Sequence, residues 1–158
     1  VIPLANGLIS YCANANGGTV PLLGAFIGCN YTDLLGNTIF DNKYPGTASV
    51  KSSTEVTALI ADHPDQLFLI NCNAGVTQAD VFRNANFATA ITGNDNTGIS
   101  LGELAQGTLN STNTLNLRIV GLEDSPSNSD TASAGMLAIV QLNNHFYRYN
   151  ANGTGAGI

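Results

Sequence analysis

The near absence of helical periodicity is the feature that most restricts how this chain can fold. Hardly any stretch of eleven or more residues places apolar side chains at the spacing of an amphipathic helix. The apolar residues instead form runs of roughly four to eight residues, separated by Gly, Asn, Asp and Pro. Such runs between turn residues are typical of strands. We therefore predict a mainly β fold, a single-domain antiparallel β-sandwich or β-barrel with at most one short helix.

Several segments are strong strand candidates: residues 20–29, 56–61, 67–72, 115–120 and 136–142. The short polar stretch between the second and third of these predicts a hairpin. Glycines at 24 and 28 in the first predict a kink, or a close approach by another segment. The spacing of Thr77 and Asp80 predicts a capping box and a helical turn near residues 78–84.

The termini differ from the body in composition. Residues 1–18 contain an apolar stretch followed by a Gly- and Asn-rich cluster, which predicts an extended N-terminal arm. Residues 19–149 form the predicted β domain, and the glycine-rich residues 150–158 are predicted to be a flexible tail. The apolar side chains of the arm are the candidate contacts to a partner protein: Ile2, Leu4, Leu8 and Ile9.

Charge is scarce in this chain. Charged residues make up 10% of the 158 residues, against about a quarter in an ordinary soluble domain, and 20 residues are Asn. A surface with so little charge must be covered by neutral amides and hydroxyls, or by other protein. The net charge of -6 and the five scattered basic residues argue against nucleic acid as a partner. No apolar run reaches the length of a membrane span, so we expect no membrane partner.

The cysteine count is odd. Cys12, Cys29 and Cys72 each lie in or beside an apolar run, and none belongs to a Cys-x-x-Cys pair. A thiol in such a setting behaves as a small hydrophobic group. We predict that all three are reduced and largely buried in the assembled protein, and that the chain folds in a reducing cytoplasm.

No arrangement of side chains indicates catalysis or metal binding. His63 lies in an Asp-His-Pro-Asp sequence that is typical of a turn. Cys72 and His145 could form a nucleophile and base, but no cation near Cys72 in sequence would lower its pKa, and we place His145 at a surface or interface. The oxygen-rich residues 93–98 lack the closing Glu of a calcium loop and read as a polar turn. We therefore assign no catalytic, cofactor or metal residue and predict that the protein is not an enzyme.

Five segments carry a resemblance to a known family. They are A-F-I-G-C-N-Y-T-D at 25–33, Y-P-G at 44–46, T-A-L-I-A-D-H-P-D-Q-L-F at 57–68, L-R-I-V-G-L-E-D at 117–124 and I-V-Q-L-N-N-H at 139–145. In this order and spacing they resemble the capsid decoration, or cement, proteins of tailed bacteriophages. The resemblance covers about residues 20–146.

The resemblance implies a virion structural protein and transfers no catalytic residue. It implies a location on the outer capsid surface after folding in the host cytoplasm, with the major capsid protein as partner. We also expect a homo-oligomer, with a trimer as the favoured order. Two alternatives remain at this stage: a carbohydrate-binding β-sandwich module, with Tyr31, Tyr44, Tyr147 and Tyr149 as candidate sugar platforms, and a phage tail or fibre protein.

Overall fold

A computed structural model describes residues 1–12, 20–51, 55–88, 93–94 and 96–148. Within these ranges the chain forms strands and three short 3-10 turns, and no α-helix. The prediction of a mainly β domain is confirmed. The strands are β1 (Ile2–Pro3), β2 (Ile9–Ser10), β3 (Ala25–Thr32), β4 (Thr38–Asp41), β5 (Thr57–Ala61), β6 (Leu67–Cys72), β7 (Asn84–Phe87), β8 (Gly93–Asn94), β9 (Ile99–Ser100), β10 (Glu103–Asn110), β11 (Leu117–Leu122) and β12 (Leu137–Leu142).

Five strands close into a barrel in the order β10-β6-β12-β11-β7. All of its ladders are antiparallel except the one between β10 and β6, which is parallel. Side chains alternate between the two faces of each strand, so every second residue points inward. The larger core contains Leu22, Val76 and Met136 from the loops, together with inward residues of these strands: Cys72, Ala85, Leu104, Leu117, Ile119, Ala138, Val140 and Leu142.

A second sheet of three antiparallel strands has the order β4-β3-β5. Its inner face covers a small separate core of Cys29, Tyr31 and Val50. A bulge interrupts β3 between Phe26 and Gly28, which turns the side chain of the residue between them outward. The chain thus has two cores of unequal size, each under its own sheet.

The predicted hairpin between residues 56–61 and 67–72 is wrong. Both strands form, but β5 pairs with β3, whereas β6 pairs with β12 and β10. The polar residues 62–66 therefore carry the chain from the small sheet to the barrel. A short connection brings the ends of two strands together, but their side chains decide which core each strand joins. Phe68 and Ile70 of β6 pack against the larger core.

The N-terminal segment differs from the predicted extended arm. Residues 1–12 fold into a hairpin in which β1 pairs with β2, and the Leu4 amide donates to the Leu8 carbonyl at 2.8 Å. Ile2 and Cys12 pack against the barrel core, because their apolar side chains gain more from burial there than from water. Residues 13–18 of the predicted arm and the predicted tail, 150–158, lie outside the described residues, as does Tyr149.

The predicted capping box is confirmed, although the turn it starts is a 3-10 turn, Gln78–Asp80. The Asp80 carboxylate accepts from the Thr77 amide at 3.0 Å and from its hydroxyl at 2.9 Å, and pairs with Arg83. These bonds hold the pKa of Asp80 below its usual range, the Thr77 amide contributing most. The turn leads into Phe82, whose φ of 72° is in the left-handed region.

Buried amides are a structural feature that composition did not predict. The sequence interpretation placed the asparagines on the surface, yet Asn84, Asn86, Asn116 and Asn128 are buried. The Asn128 side chain donates to the carbonyls of Glu123 and Leu137 at 2.7 and 2.9 Å and accepts from the Leu137 amide at 2.6 Å. It therefore satisfies the Glu123 carbonyl and the Leu137 amide, and adds a second bond to the Leu137 carbonyl, which also accepts from the Glu123 amide at 3.1 Å.

Candidate interaction surfaces

The outer side of β6, β12 and β11 is an apolar surface, here called the barrel wall. Register places Leu69 opposite Ile139, and Ile139 opposite Gly121. Leu67 and Leu69 are 47% and 61% exposed, although leucine in a strand usually points to a core. The wall consists of Leu67, Leu69, Val120, Gly121 and Ile139.

A polar margin borders one end of the barrel wall. Gln141 of β12 lies between Leu67 and Arg118 in register. Its amide donates to the Asp65 carboxylate at 3.2 Å and its oxygen accepts from Arg148 at 3.3 Å. Arg148 also forms an ion pair with Asp65. The wall thus has an apolar centre and a hydrogen-bonded margin, the arrangement found at protein interfaces.

The outer side of the small sheet is a second apolar surface, here called the sheet face. It consists of Ile27, Phe40 and Leu59, which are 62%, 73% and 46% exposed. The outward residues around them are Thr and Asn, and no charged residue occurs in β3 or β5. Asp41 of β4 is opposite the buried Cys29 and thus on the inner side. The sheet face is apolar and uncharged.

The N-terminal hairpin presents two of the four predicted contact residues at its tip. Leu8 is 62% exposed and Leu4 lies partly exposed beside it at the turn. Ile2 is directed to the barrel core, and Ile9 is half-buried in the ladder with Pro3. Of the four predicted contact residues, only Leu4 and Leu8 at the tip are therefore exposed to a partner while the hairpin stays folded.

Phe82 is an exposed aromatic residue on a rigid loop. Its amide donates to the Ile119 carbonyl at 2.9 Å, and the Ile119 amide donates to the Arg83 carbonyl at 3.0 Å. These bonds fix the loop against β11. A left-handed φ costs a non-glycine residue about 1–3 kcal/mol, and the side chain recovers little of this in the monomer because it is mostly exposed.

Neither candidate group for nucleophilic chemistry, Cys72 or His145, lies at an exposed site. Cys72 is fully buried in the barrel core, and burial, with a smaller effect of Glu103, raises its pKa to about 11. A thiol with that pKa is protonated at neutral pH and is a poor nucleophile. Cys29 is also buried, Cys12 is half-buried, and the three sulfurs are not joined in disulfide bonds.

His145 is buried, contrary to the predicted surface or interface position. Its Nδ1 accepts from the Tyr147 amide at 3.1 Å, and its backbone forms a bridge with Leu22 of the barrel core. Burial, and secondly the charge of Arg148, lower its pKa, while Asp62 acts in the opposite sense. The imidazole is therefore neutral, and it lies near Asp62, where residues 62–66 leave the small sheet.

Acid should destabilise the protein through His145. Because the pKa of His145 is lowered in the folded protein, the unfolded chain binds a proton first as pH falls. The free energy of unfolding therefore has its full value above about pH 6.5 and declines below it. We expect a loss of up to about 1.4 kcal/mol per pH unit below that point. Urea unfolding at pH 7.5, 6.5 and 5.5 measures this loss of unfolding free energy. In H145Q this decline should shrink, whereas H63Q should retain it; equal pH profiles for H145Q and the unchanged protein would contradict the assignment.

The described residues of the oxygen-rich segment, 93–94 and 96–98, belong to a short hairpin in which β8 pairs with β9. The Asn94 side-chain oxygen accepts from the amides of Asn96 and Thr97 at 2.9 and 3.2 Å. Across the described ranges, no three metal-binding side chains converge. The same ranges contain no helix with the length and apolarity to cross a bilayer.

The candidate sugar platforms are unequal. Tyr31 belongs to the small core and is buried, so it cannot stack on a ligand. Tyr44 is exposed, and the exposed ring of Tyr147 packs edge-on against Phe146 and near His145. The described tyrosines therefore leave fewer platforms than the sequence allowed.

Comparison with protein-family models, with curated proteins and with solved structures finds no match to this chain. Its function must therefore be inferred from its own surfaces.

Proposed function

We propose that this protein is a virion structural protein that decorates the assembled capsid of a tailed bacteriophage and stabilises it by bridging neighbouring copies of the major capsid protein. The observation that carries the proposal is the sheet face. Phe40, Ile27 and Leu59 are exposed to water on one side of the small sheet, in a chain with only 10% charged residues. Several exposed apolar side chains on one uncharged side of a sheet favour an interaction site.

The energetic argument starts from Phe40. Its side chain gains little from the protein's own core because it is 73% exposed. Burying an aromatic side chain removes about 150–250 Å² from water, and apolar burial is worth about 25 cal/mol per Å². A partner that covered Phe40 would therefore gain a few kcal/mol from this one residue, enough to make it the centre of an interface.

The uncharged surroundings of the sheet face fit such an interface. The outward Thr and Asn residues can exchange hydrogen bonds with a partner without the cost of stripping water from charges. The tip of the N-terminal hairpin, Leu4 and Leu8, offers a second contact in place of the extended clamp expected from the sequence. Ile2 cannot contribute without leaving the core.

Binding to the assembled capsid alone would stabilise it, because a ligand favours the state to which it binds. A ligand that binds only the assembled lattice lowers the free energy of that state and leaves the free subunits unchanged. A site formed by two capsid subunits exists only after assembly, so the protein should bind heads and not free subunits. Many copies on one particle then add their effects over the whole shell.

The test is to mix the protein with heads that lack it, and separately with free capsid subunits, and to sediment both. Binding should occur only to heads, which should then resist heat better. Phe40→Ser should raise the dissociation constant by about thirtyfold, since a central interface residue contributes about 2 kcal/mol. Ile99→Ser changes an equally apolar, 61% exposed residue on another hairpin and is the matched control.

Three results would contradict the proposal. Equal binding to free subunits would remove the assembly dependence, and binding without gain in heat resistance would remove the cement role. Electron microscopy that located the protein on the tail would favour the alternative of a tail or fibre protein. Glycan binding through Tyr44 or Tyr147 would favour the carbohydrate-binding alternative.

A further inference from the structure

We propose that the barrel wall is the contact between two copies of this chain, related by a twofold axis that runs parallel to β12. This inference concerns a different surface from the sheet face and does not depend on the capsid. It is based on the shape, the symmetry and the charge distribution of the wall.

The shape of the wall is self-complementary. Leu69 projects from β6 on one side of β12, and Gly121 leaves a gap in β11 on the other side at the same level. A Cβ added at Gly121 would meet only the Ile139 side chain, at 4.0 Å, so the gap has room for a side chain from outside. The bulged residue Val120 forms one border of this gap.

A twofold axis along β12 brings the two features together. β12 is the middle strand of the wall, so the rotation places β6 of one copy over β11 of the other. Leu69 of each copy then faces the Gly121 gap of its mate, while Ile139 packs against its own symmetry equivalent. The contact between Leu69 and the Gly121 gap therefore occurs twice, once on each side of the axis, as an isologous contact requires.

The charges of the wall agree with the same axis. Arg118 lies on β11, and Asp65 precedes β6 at the same end of the wall. The rotation therefore places each Arg118 over the Leu67 and Asp65 side of its mate and keeps the two Arg118 residues apart. The Asp65 side chain is 70% exposed and can accept a second cation. Gln141 faces Gln141, and two amides can exchange hydrogen bonds.

The size of the wall predicts a weak dimer. Three strands about 4.8 Å apart and six residues long give a footprint of about 14 by 20 Å. This is about 280 Å² per copy, well below the roughly 800 Å² per partner of a standard interface, so we expect a weak contact that dissociates at about hundreds of μM. An isologous contact closes with two copies, and on this ground we favour a dimer over the trimer expected from the sequence.

Sedimentation velocity of the full chain from about 1 to 500 μM tests the proposal, a range that extends to the expected dissociation constant. The unchanged protein should show a monomer–dimer equilibrium. Ile139→Glu should raise the dissociation constant at least tenfold because it places two charges on the axis, and Gly121→Val should do so by filling the gap. Circular dichroism should show that both variants keep the fold. Leu59→Glu, on the sheet face, is the matched control and should leave the dimer unchanged.

Cysteine trapping tests the axis itself. Ile139→Cys should form a disulfide-linked dimer under mild oxidation, because the residue meets its own equivalent, and Leu59→Cys should not. A monomer at all concentrations, a trimer, or equal effects of Leu59→Glu and Ile139→Glu would each overturn the proposal. The proposal would also be overturned if the protein were a monomer and Ile139→Glu abolished its binding to heads, because the wall would then be the contact surface for the capsid.

Discussion

Replacement of Gly24 by alanine should cost about 3 kcal/mol of folding free energy and lower the melting temperature by about 6–12 °C. A Cβ at this position would clash with the Ala61 carbonyl group, whose carbon would lie at 2.9 Å, and would approach Ile60 Cγ2 at 2.8 Å. The obstacle is mainly backbone, so a rotamer change cannot relieve it. Either the end of β5 or the segment before β3 must move.

Gly107→Ala is the control for this prediction. No atom lies within 4 Å of a Cβ built at Gly107, so this variant should melt close to the unchanged protein. Differential scanning calorimetry of both variants measures the difference. If Gly24→Ala melted together with Gly107→Ala, the close approach between residue 24 and β5 would not exist in solution.

Replacement of Asn128 by alanine should also cost about 3 kcal/mol. The side chain makes three hydrogen bonds to backbone groups of Glu123 and Leu137, and each such bond contributes about 1 kcal/mol net. Alanine leaves these groups without the side chain that satisfies them at the start of β12. Asn113→Ala, at an exposed position, should be nearly neutral in the same urea unfolding experiment.

Asn128→Asp separates hydrogen bonding from the loss of volume. The aspartate has the same shape and can still accept from the Leu137 amide, but its other oxygen would face two carbonyl oxygens. This repulsion and the partial burial should raise the pKa of the new carboxyl group, so the variant should regain stability as pH falls and the group becomes a donor. A stability equal to that of the unchanged protein at pH 7 would contradict the role assigned to the amide.

Local signals in the sequence predicted the local features correctly. The Thr77 and Asp80 spacing gave the capping box because those two side chains need only their own turn to form it. The glycine at 24 indicated a close approach, and Ala61 provides it. Short apolar runs indicated a β fold because the residues in these runs themselves favour an extended, partly buried conformation.

The features that the sequence could not predict depend on residues far apart in the chain. The first four residues of the strand at 67–72 are Leu-Phe-Leu-Ile, apolar on both faces, and only the single polar residue Asn71 marks the face on which Leu67 and Leu69 point outward. Its pairing with β12 depends on a strand about seventy residues away. The same holds for the barrel wall, where Leu69 lies beside Ile139 only because β6 pairs with β12.

Two other misses came from reading polarity as exposure. His145 and the buried asparagines are polar, and polar residues are exposed in most proteins. At two of these positions a backbone amide bonds to the side chain: the Tyr147 amide donates to His145 and the Leu137 amide donates to Asn128. Nothing next to these residues in the sequence distinguishes a buried amide from a surface amide.

The division of the fold into two cores has a consequence for local opening. Local unfolding free energies scale with the apolar contacts that an opening breaks, and the small sheet covers only Cys29, Tyr31, Val50 and a few partly buried neighbours. Its amides should therefore exchange with solvent through openings that leave the barrel closed. A partner bound to the sheet face would suppress those openings, so the least stable part of the free protein would become one of the most protected parts of the complex.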